Sequence, residues 1–238
     1  MNELLEVSRK SDGRPEIFQS IQGEGATAGT PSVFLRLAQC NLRCAWCDTK
    51  YTWDWAHFDQ AKETTKMSLE NAYQAISAYR MKRLIITGGE PLLQQGKLIP
   101  LCKRLKENGY VFEVETNGTV TPTSEMMSLI DQWNVSPKLE NSGNPLLERE
   151  VSLALKTFVA GKRSYFKFVI SEESDIEEVE ALANKYCVSK EQIILMPQAA
   201  SKAALNMRSA WLTRLCEDKG YRFSSRLHIL LWGNKRGR

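Results

Sequence analysis

Cys40, Cys44 and Cys47 fall within eight residues of the run QCNLRCAWCDT, spaced Cys-x3-Cys-x2-Cys. One tight loop can turn three such thiolates toward a common centre, one fewer than a four-iron, four-sulfur cluster needs. The iron left without a protein ligand is then open to a small molecule, just as a catalytic zinc site keeps one position free. A zinc knuckle is the competing use of the same residues. It needs a fourth ligand, for which His57 stands ten residues beyond Cys47. Zinc sites usually pair Cys-x2-Cys with a second such pair or with two histidines, and the chain offers neither.

A second group of residues has ligand-binding chemistry. In Thr87-Gly88-Gly89-Glu90-Pro91 two glycines leave the backbone bare for close approach, and Glu90 supplies an acceptor for an ammonium group. The plain alternative is a turn, with Pro91 in the first turn of the next helix. Upstream, Gln22 and Glu24 flank Gly23, and Arg36 follows on the next apolar run. Such a set can read an edge of adjacent donors and acceptors and fork onto an anionic group, although a solvated hairpin turn has the same composition. Gly23-x-Gly25-x-x-Ala28 copies a dinucleotide fingerprint, but it precedes a strand, and Gly29 and Pro31 prevent a helix opening there.

These residues must be held by elements, and the chain alternates short apolar β-rich runs with longer amphipathic ones. The expected strands are Val33–Ala38, Leu84–Thr87, Val111–Glu115, Trp133–Ser136, Tyr165–Ile170, Ile193–Met196 and Leu227–Leu231. Helices are expected at 68–80, 96–108, 173–186 and 202–219, with Ser174 and Ser201 at two of the starts. Alternation of this kind implies crossover units and a largely parallel sheet, whose ligands gather at the carboxyl ends of the strands. The cysteine loop, the Gly-Gly-Glu turn, Thr116-Asn117-Gly118, Pro137-Lys138 and Pro197-Gln198 all follow strands, which favours one active face. Lys138 can there face a carboxylate or ribose oxygens. Segment 139–164 gives only a loop, ENSGNP, and a weak helical pattern.

Composition narrows the class. With 238 residues, 42% of them hydrophobic, the chain can bury about three quarters of its unfolded surface. No run approaches the ~20 apolar residues of a membrane span, and the N-terminus lacks the apolar core of a signal peptide, so a cytoplasmic protein is expected. Cys102, Cys187 and Cys216 are scattered through helix-like surroundings and read as structural. A net charge of +4 with no basic helix makes an anionic small molecule a better partner than nucleic acid.

The cysteine spacing, with Trp46 before the third cysteine and the Gly-Gly-Glu run downstream, resembles the radical S-adenosylmethionine superfamily. The resemblance implies a [4Fe-4S] cluster on Cys40, Cys44 and Cys47. Its open iron would chelate S-adenosylmethionine, whose reductive cleavage gives a 5'-deoxyadenosyl radical. Within that superfamily IQGEG, FLRLAQCNLRCAWCDTKYTWD, ITGGEP, ETNGT, SPK and RLHILLWGNKRG, in this order, resemble the 7-carboxy-7-deazaguanine synthases. Glycyl-radical activating enzymes share the cysteine spacing but give no reason for QGEG or LWGN.

The closer resemblance implies an α/β fold, an abbreviated radical-SAM partial (β/α)6 half-barrel with a mostly parallel sheet. Residues 1–238 would be one domain, with a substrate-binding turn at 14–30 and a closing segment at 224–238. It implies conversion of 6-carboxy-5,6,7,8-tetrahydropterin to 7-carboxy-7-deazaguanine and ammonia, a homodimer, and a one-electron reductant such as flavodoxin. Ile21, Gln22, Gly23, Glu24, Arg36, Thr87, His228 and the terminal Arg238 would hold the substrate. S-adenosylmethionine would lie against Trp46, Cys47, Asp48, Gly88, Gly89, Glu90, Glu115, Asn117, Ser136, Pro137, Lys138 and Gln198. Thr49, two residues after Cys47, would ligate Mg2+.

Overall fold

The computed structural model describes residues 4–161 and 163–237. Its strands are β1 (Leu4–Ser8), β2 (Ile17–Ile21), β3 (Pro31–Leu37), β4 (Thr64–Ser68) and β5 (Arg83–Gly88), followed by β6 (Val111–Thr116), β7 (Gln132–Val135), β8 (Ser164–Ile170), β9 (Ile193–Pro197) and β10 (Arg222–Phe223). They form one sheet in the order β10-β9-β8-β7-β6-β5-β3-β1-β4, with β2 also paired to β3. Pairing is parallel from β3 through β10 and antiparallel where β1, β2 and β4 join. The order begins at one edge strand and ends at another. The six strands β3, β5, β6, β7, β8 and β9 therefore make a partial (β/α)6 barrel that does not close.

Side-chain alternation separates the two faces of this sheet. Val33, Leu35 and Leu37, Phe112 and Val114, and Phe166, Phe168 and Ile170 join the main core. There they meet the apolar stripes of the crossover helices, such as Leu98, Leu101, Cys102 and Leu105 of Gln95–Glu107. The alternate positions carry Arg36, Thr87, Glu115, Lys167 and Val169, all of which line a concave inner face. Phe18 and Phe34 stack at 5.1 Å between ring centroids, form a small buried cluster with Ile85, and give the cavity an apolar part of its wall.

The four expected helices are present at Leu69–Ser77, Gln95–Glu107, Asp175–Tyr186 and Lys202–Lys219. Ser201 caps the last by accepting from the Ala204 N–H at 3.3 Å. Ser174 makes no side-chain cap; the Asp175 carboxylate instead accepts from the Ser171 and Glu172 N–H groups at 2.6 and 3.1 Å. The expected strand Leu227–Leu231 is a helix, Leu227–Trp232. A short apolar run has no period of its own. Here Ile229 is buried against Ala199 and Leu205, while the parallel edge beside β9 is taken by β10. Segment 139–164 supplies the crossover to β8 through the helix Ser152–Ala160. Cys102 and Cys216 are buried, but Cys187 is exposed, at the left-handed residue that ends Asp175–Tyr186. Among the described residues no helix is long and apolar enough to cross a membrane.

Candidate active site

A cavity of about 600 Å³ opens over the carboxyl ends of the parallel strands. Cys40, Cys44, Cys47 and Thr49 stand on its wall with Trp46, Asp48, Gly88, Gly89, Asn117, Ser136, Lys138 and Gln198. The wall also carries Ile21, Gln22, Gly23, Glu24, Arg36, Thr87, Glu115 and His228. Glu90 and Pro137 are not among the lining residues. Arg238 lies outside the described residues.

The cysteine loop leaves β3 through Gln39, a non-glycine residue with φ of 73°. The strain of that left-handed conformation is offset locally. Its N–H donates to the Thr52 carbonyl at 2.7 Å, its side chain donates to Glu6 at 2.6 Å, and its carbonyl accepts from the Glu90 N–H at 2.8 Å. Gly88 and Gly89 allow this packing. A Cβ on Gly88 would lie 2.0 Å from the Leu37 carbonyl oxygen, and one on Gly89 would lie 2.0 Å from that of Gln39. The glycine pair thus serves close approach of the cysteine loop on one side while lining the cavity on the other.

Each cluster cysteine receives an N–H. Leu42 N donates to Cys40 Sγ at 3.5 Å, Asn144 Nδ2 to Cys44 Sγ at 3.2 Å, and Trp53 Nε1 to Cys47 Sγ at 3.4 Å. Thiolates accept such bonds far better than thiols, so the donor set fits anionic sulfur bound to iron. Burial pushes the free Cys40 thiol up to about 12 and raises Cys44 as well. Iron binding must therefore displace protons, as it does for coordinated thiols generally.

Behind the glycines the Glu90 carboxylate is fully buried. It accepts from Leu92 N at 3.0 Å, Thr116 Oγ1 at 2.9 Å and Asn117 N at 2.7 Å, tying the end of β5 to that of β6. Burial raises its pKa against these bonds. Asn117 is oriented by donating to Asn41 at 3.0 Å. Lys138 donates to the Ser136 carbonyl and hydroxyl, both at 2.8 Å, and its ammonium lies 5.7 Å from the centre of the Trp46 ring.

Across the cavity the Gln22 to Glu24 turn is part of a buried polar lattice. Gln22 Nε2 donates to Glu113 at 2.9 Å and Glu115 at 3.0 Å, which fixes the amide orientation. Lys167 Nζ, itself buried, bridges Glu24 at 2.7 Å and Glu115 at 2.8 Å. Arg226 pairs with Glu24 at 3.0 Å and also with Asp48. Burial disfavours the charged form of Glu24, yet the Lys167 and Arg226 cations outweigh it and hold its pKa well below the usual carboxylate range. Burial, with Glu115 beside it, pushes Glu113 the other way. Gly23 has no room for a side chain, since a Cβ there would lie 2.4 Å from His228 Nδ1. Arg36 is held by Glu16 at 3.0 Å, and Glu16 also accepts from the Tyr51 hydroxyl at 3.0 Å.

Lys167, Arg226, Glu113, Glu16, Tyr51, Trp53 and Asn144 are among the site residues that the sequence reading missed. Lys167 had a signal: it is the one charge within the apolar strand SYFKFVI. Arg226 and Glu16 had none, because each acquires its role from residues distant in the chain.

A family model described as "4Fe-4S single cluster domain" matches residues 21–153. The 7-carboxy-7-deazaguanine synthase of Pyrobaculum aerophilum is 40% identical over 228 residues, covering 94% of this chain and 96% of its own. That of Halobacterium salinarum is 35% identical, covering 92% and 90%. The crystal structure of QueE from Escherichia coli superposes with a TM-score of 0.69 at 28% identity, covering 94% of this chain and 95% of its own. The matches to the two synthases and to the crystal structure span nearly the whole chain, which separates it from zinc-binding modules and glycyl-radical activating enzymes that would share the cysteine loop alone. The chain therefore belongs to the 7-carboxy-7-deazaguanine synthases of the radical S-adenosylmethionine superfamily.

Proposed function

We infer that the protein is a lyase converting 6-carboxy-5,6,7,8-tetrahydropterin to 7-carboxy-7-deazaguanine with loss of ammonia, a step in deazapurine and queuosine precursor synthesis. The observation that carries this reading is the juxtaposition of the three-cysteine loop and the Gln22 to Glu24 turn on one cavity. When bound, the [4Fe-4S] cluster and S-adenosylmethionine supply one-electron chemistry able to remove a hydrogen atom from an unactivated carbon. Cys40, Cys44 and Cys47 would hold the cluster. Gly88, Gly89, Asn117, Ser136, Lys138 and Gln198 would line the S-adenosylmethionine site, with Trp46 and Asp48 beside it.

The chain's own contribution is orientation and exclusion of water. Glu24, kept ionised by Lys167 and Arg226, accepts the N–H groups of the pyrimidine edge, and Gln22 presents its oxygen beside it. Arg36, aimed by Glu16, forks onto the substrate carboxylate. Thr87 and Ile21 complete the floor, and His228 packs the turn from above. Thr49 supplies one hydroxyl oxygen for Mg2+, which ordinarily takes few protein ligands and fills the rest with water and substrate. Residues 14–30 and 224–237 flank this site as parts of one catalytic domain, which works as a homodimer in the cytoplasm and is reduced by a flavodoxin-like donor.

The test is anaerobic reconstitution with dithionite, S-adenosylmethionine, Mg2+ and the carboxytetrahydropterin. Equimolar 7-carboxy-7-deazaguanine and ammonia are expected, with the rate falling when Mg2+ is omitted. Deoxyadenosine without the deazapurine would remove the substrate assignment, and a folded chain with stoichiometric zinc and no iron would remove the chemistry.

A further inference from the structure

Residues 141–144 lie in the loop ENSGNP, in the stretch least readable from the sequence pattern, and they run antiparallel along the cysteine loop. The Arg43 N–H donates to Asn144 Oδ1 at 2.8 Å, the Ala45 N–H to the Ser142 carbonyl at 2.9 Å, and Trp46 Nε1 to Asn141 Oδ1 at 3.2 Å. The three contacts step back one residue for each step forward, like rungs of a ladder. The segment is anchored from behind: Asn141 donates to Asp175 at 2.8 Å and to the Val169 carbonyl at 3.0 Å, and Arg149 donates to the Lys138 carbonyl at 3.0 Å and pairs with Glu178.

Asn144 has a particular place in this ladder. Its Oδ1 is taken by a backbone N–H, a group that can only donate, so the amide cannot be turned round. Nδ2 must therefore face Cys44 Sγ, at 3.2 Å, with both residues buried. Of the N–H groups on the three sulfurs, the shorter one on Cys40 comes from Leu42 of its own loop and the one on Cys47 from Trp53, six residues on; Asn117 reaches Cys40 only at 3.9 Å, whereas Asn144 reaches Cys44 at 3.2 Å from a hundred residues away. A donor on a cluster sulfur withdraws negative charge and so favours the reduced cluster, which carries one more electron; hydrogen bonds to the sulfurs are among the main settings of such potentials.

We propose that residues 141–144 clamp the cysteine loop and that Asn144 is a positioning residue which raises the reduction potential of the cluster through its N–H···S bond to Cys44. This rests on the cluster reading given above. The N–H···S bond makes the cluster easier for a weak one-electron donor to reduce, independently of how substrate is bound.

The experiment is an anaerobic redox titration followed by EPR, without S-adenosylmethionine or substrate, on wild type, Asn144→Leu, Asn144→Asp and Asn141→Ala, with iron and sulfide counted on each. Leu removes the donor without adding charge, and Asp removes the donor but keeps an acceptor for Arg43. Both are expected to retain four irons and to titrate lower, by about tenfold in the reduction equilibrium, which is 59 mV for one electron. Asn141→Ala breaks a rung without touching a sulfur and should titrate with wild type. Full iron with unchanged potential in both Asn144 variants overturns the proposal. So does an equal fall in Asn141→Ala, which would assign the effect to loop packing. Should the Asn144 variants lose iron, pulsed EPR of reduced wild type carrying 15N-asparagine decides: two side-chain nitrogen couplings are expected, a weaker one from Asn117 beside Cys40 and a stronger one from Asn144 on Cys44, and absence of the stronger one overturns the assignment. Wild type that holds no iron fails at the earlier step, removing the cluster reading itself.

Discussion

Charge placement inside the half-barrel decides what each site residue can do. Lys167 stands between Glu24 and Glu115 with almost no exposure, so its removal leaves two carboxylates short of a cation. Breaking a buried pair from one side costs about 3–5 kcal/mol. Lys167→Met is therefore expected to lower Tm by roughly 10 °C and to raise KM for the pterin, with iron content unchanged; a normal KM would detach Lys167 from the substrate turn. His228 makes a pH prediction. Arg226 lies 3.4 Å from its Nε2, and an arginine only donates, so the ring is neutral with Nε2 as acceptor. Burial lowers the His228 pKa, the Glu24 and Asp48 carboxylates oppose this, and the Arg226 and Arg36 cations reinforce it. A depressed folded-state pKa gives stability that is present above the ordinary value of 6.5 and lost as pH falls through the folded value. KM should accordingly rise as pH falls below that range, and His228→Gln should flatten the acid limb; an unaltered limb would assign it to another group. Glu24 titrates lower still, so its loss belongs to more acid solution.

At the level of elements, the junction between β3 and β5 carries the cofactor machinery. The Gly89 N side of that junction is closed by the Gln39 carbonyl, 2.0 Å from where a Cβ would sit. Gly89→Ala must push the cysteine loop outward, at the ~1–3 kcal/mol typical of overpacking. The expected result is fewer than four irons per chain after reconstitution, with the far-UV spectrum intact; full iron loading would show that the loop gives way without harm. The strands bearing this junction were legible beforehand because Val33–Ala38 and Leu84–Thr87 are apolar on both faces or nearly so, as buried parallel strands are. Leu227–Trp232 was not, since a six-residue apolar segment satisfies strand and helix patterns alike and only its burial on Ala199 and Leu205 decides. β1, β2 and β4 were missed for a related reason. They flank the parallel strands in antiparallel pairs, and β4 carries no buried residue to mark it.

On the scale of the whole molecule, the C-terminal segment comes back to the cavity, whose wall includes Lys235, Arg236 and Gly237. Arg236 stacks over Tyr51 at 3.5 Å and pairs with Glu63 at 2.6 Å, which pins it to the segment that leads into β4. A stacked cation contributes about 0.5–1 kcal/mol and a part-exposed ion pair a similar amount. Arg236→Ala is expected to raise KM by up to roughly tenfold, the equivalent of 1.4 kcal/mol, and to leave the EPR signal of the reduced cluster as it was. A KM that stays at the wild-type value would mean that the tail is held without this contact.

By itself the amino-acid sequence determined the chemistry: the spacing of Cys40, Cys44 and Cys47 sets a three-thiolate loop, and short apolar runs alternating with amphipathic helical segments set a parallel sheet with that loop at its carboxyl end. Both are local properties, written in a few adjacent residues. Tertiary structure alone decided which charges face one another. Lys167 reaches Glu24 from 143 residues away, Arg226 reaches Asp48 from 178, and Asn144 reaches Cys44 from 100. No local pattern encodes such pairs, because even a side chain that stands out in its own segment, as Lys167 does, acquires its partner only when the half-barrel brings distant strand ends to one cavity.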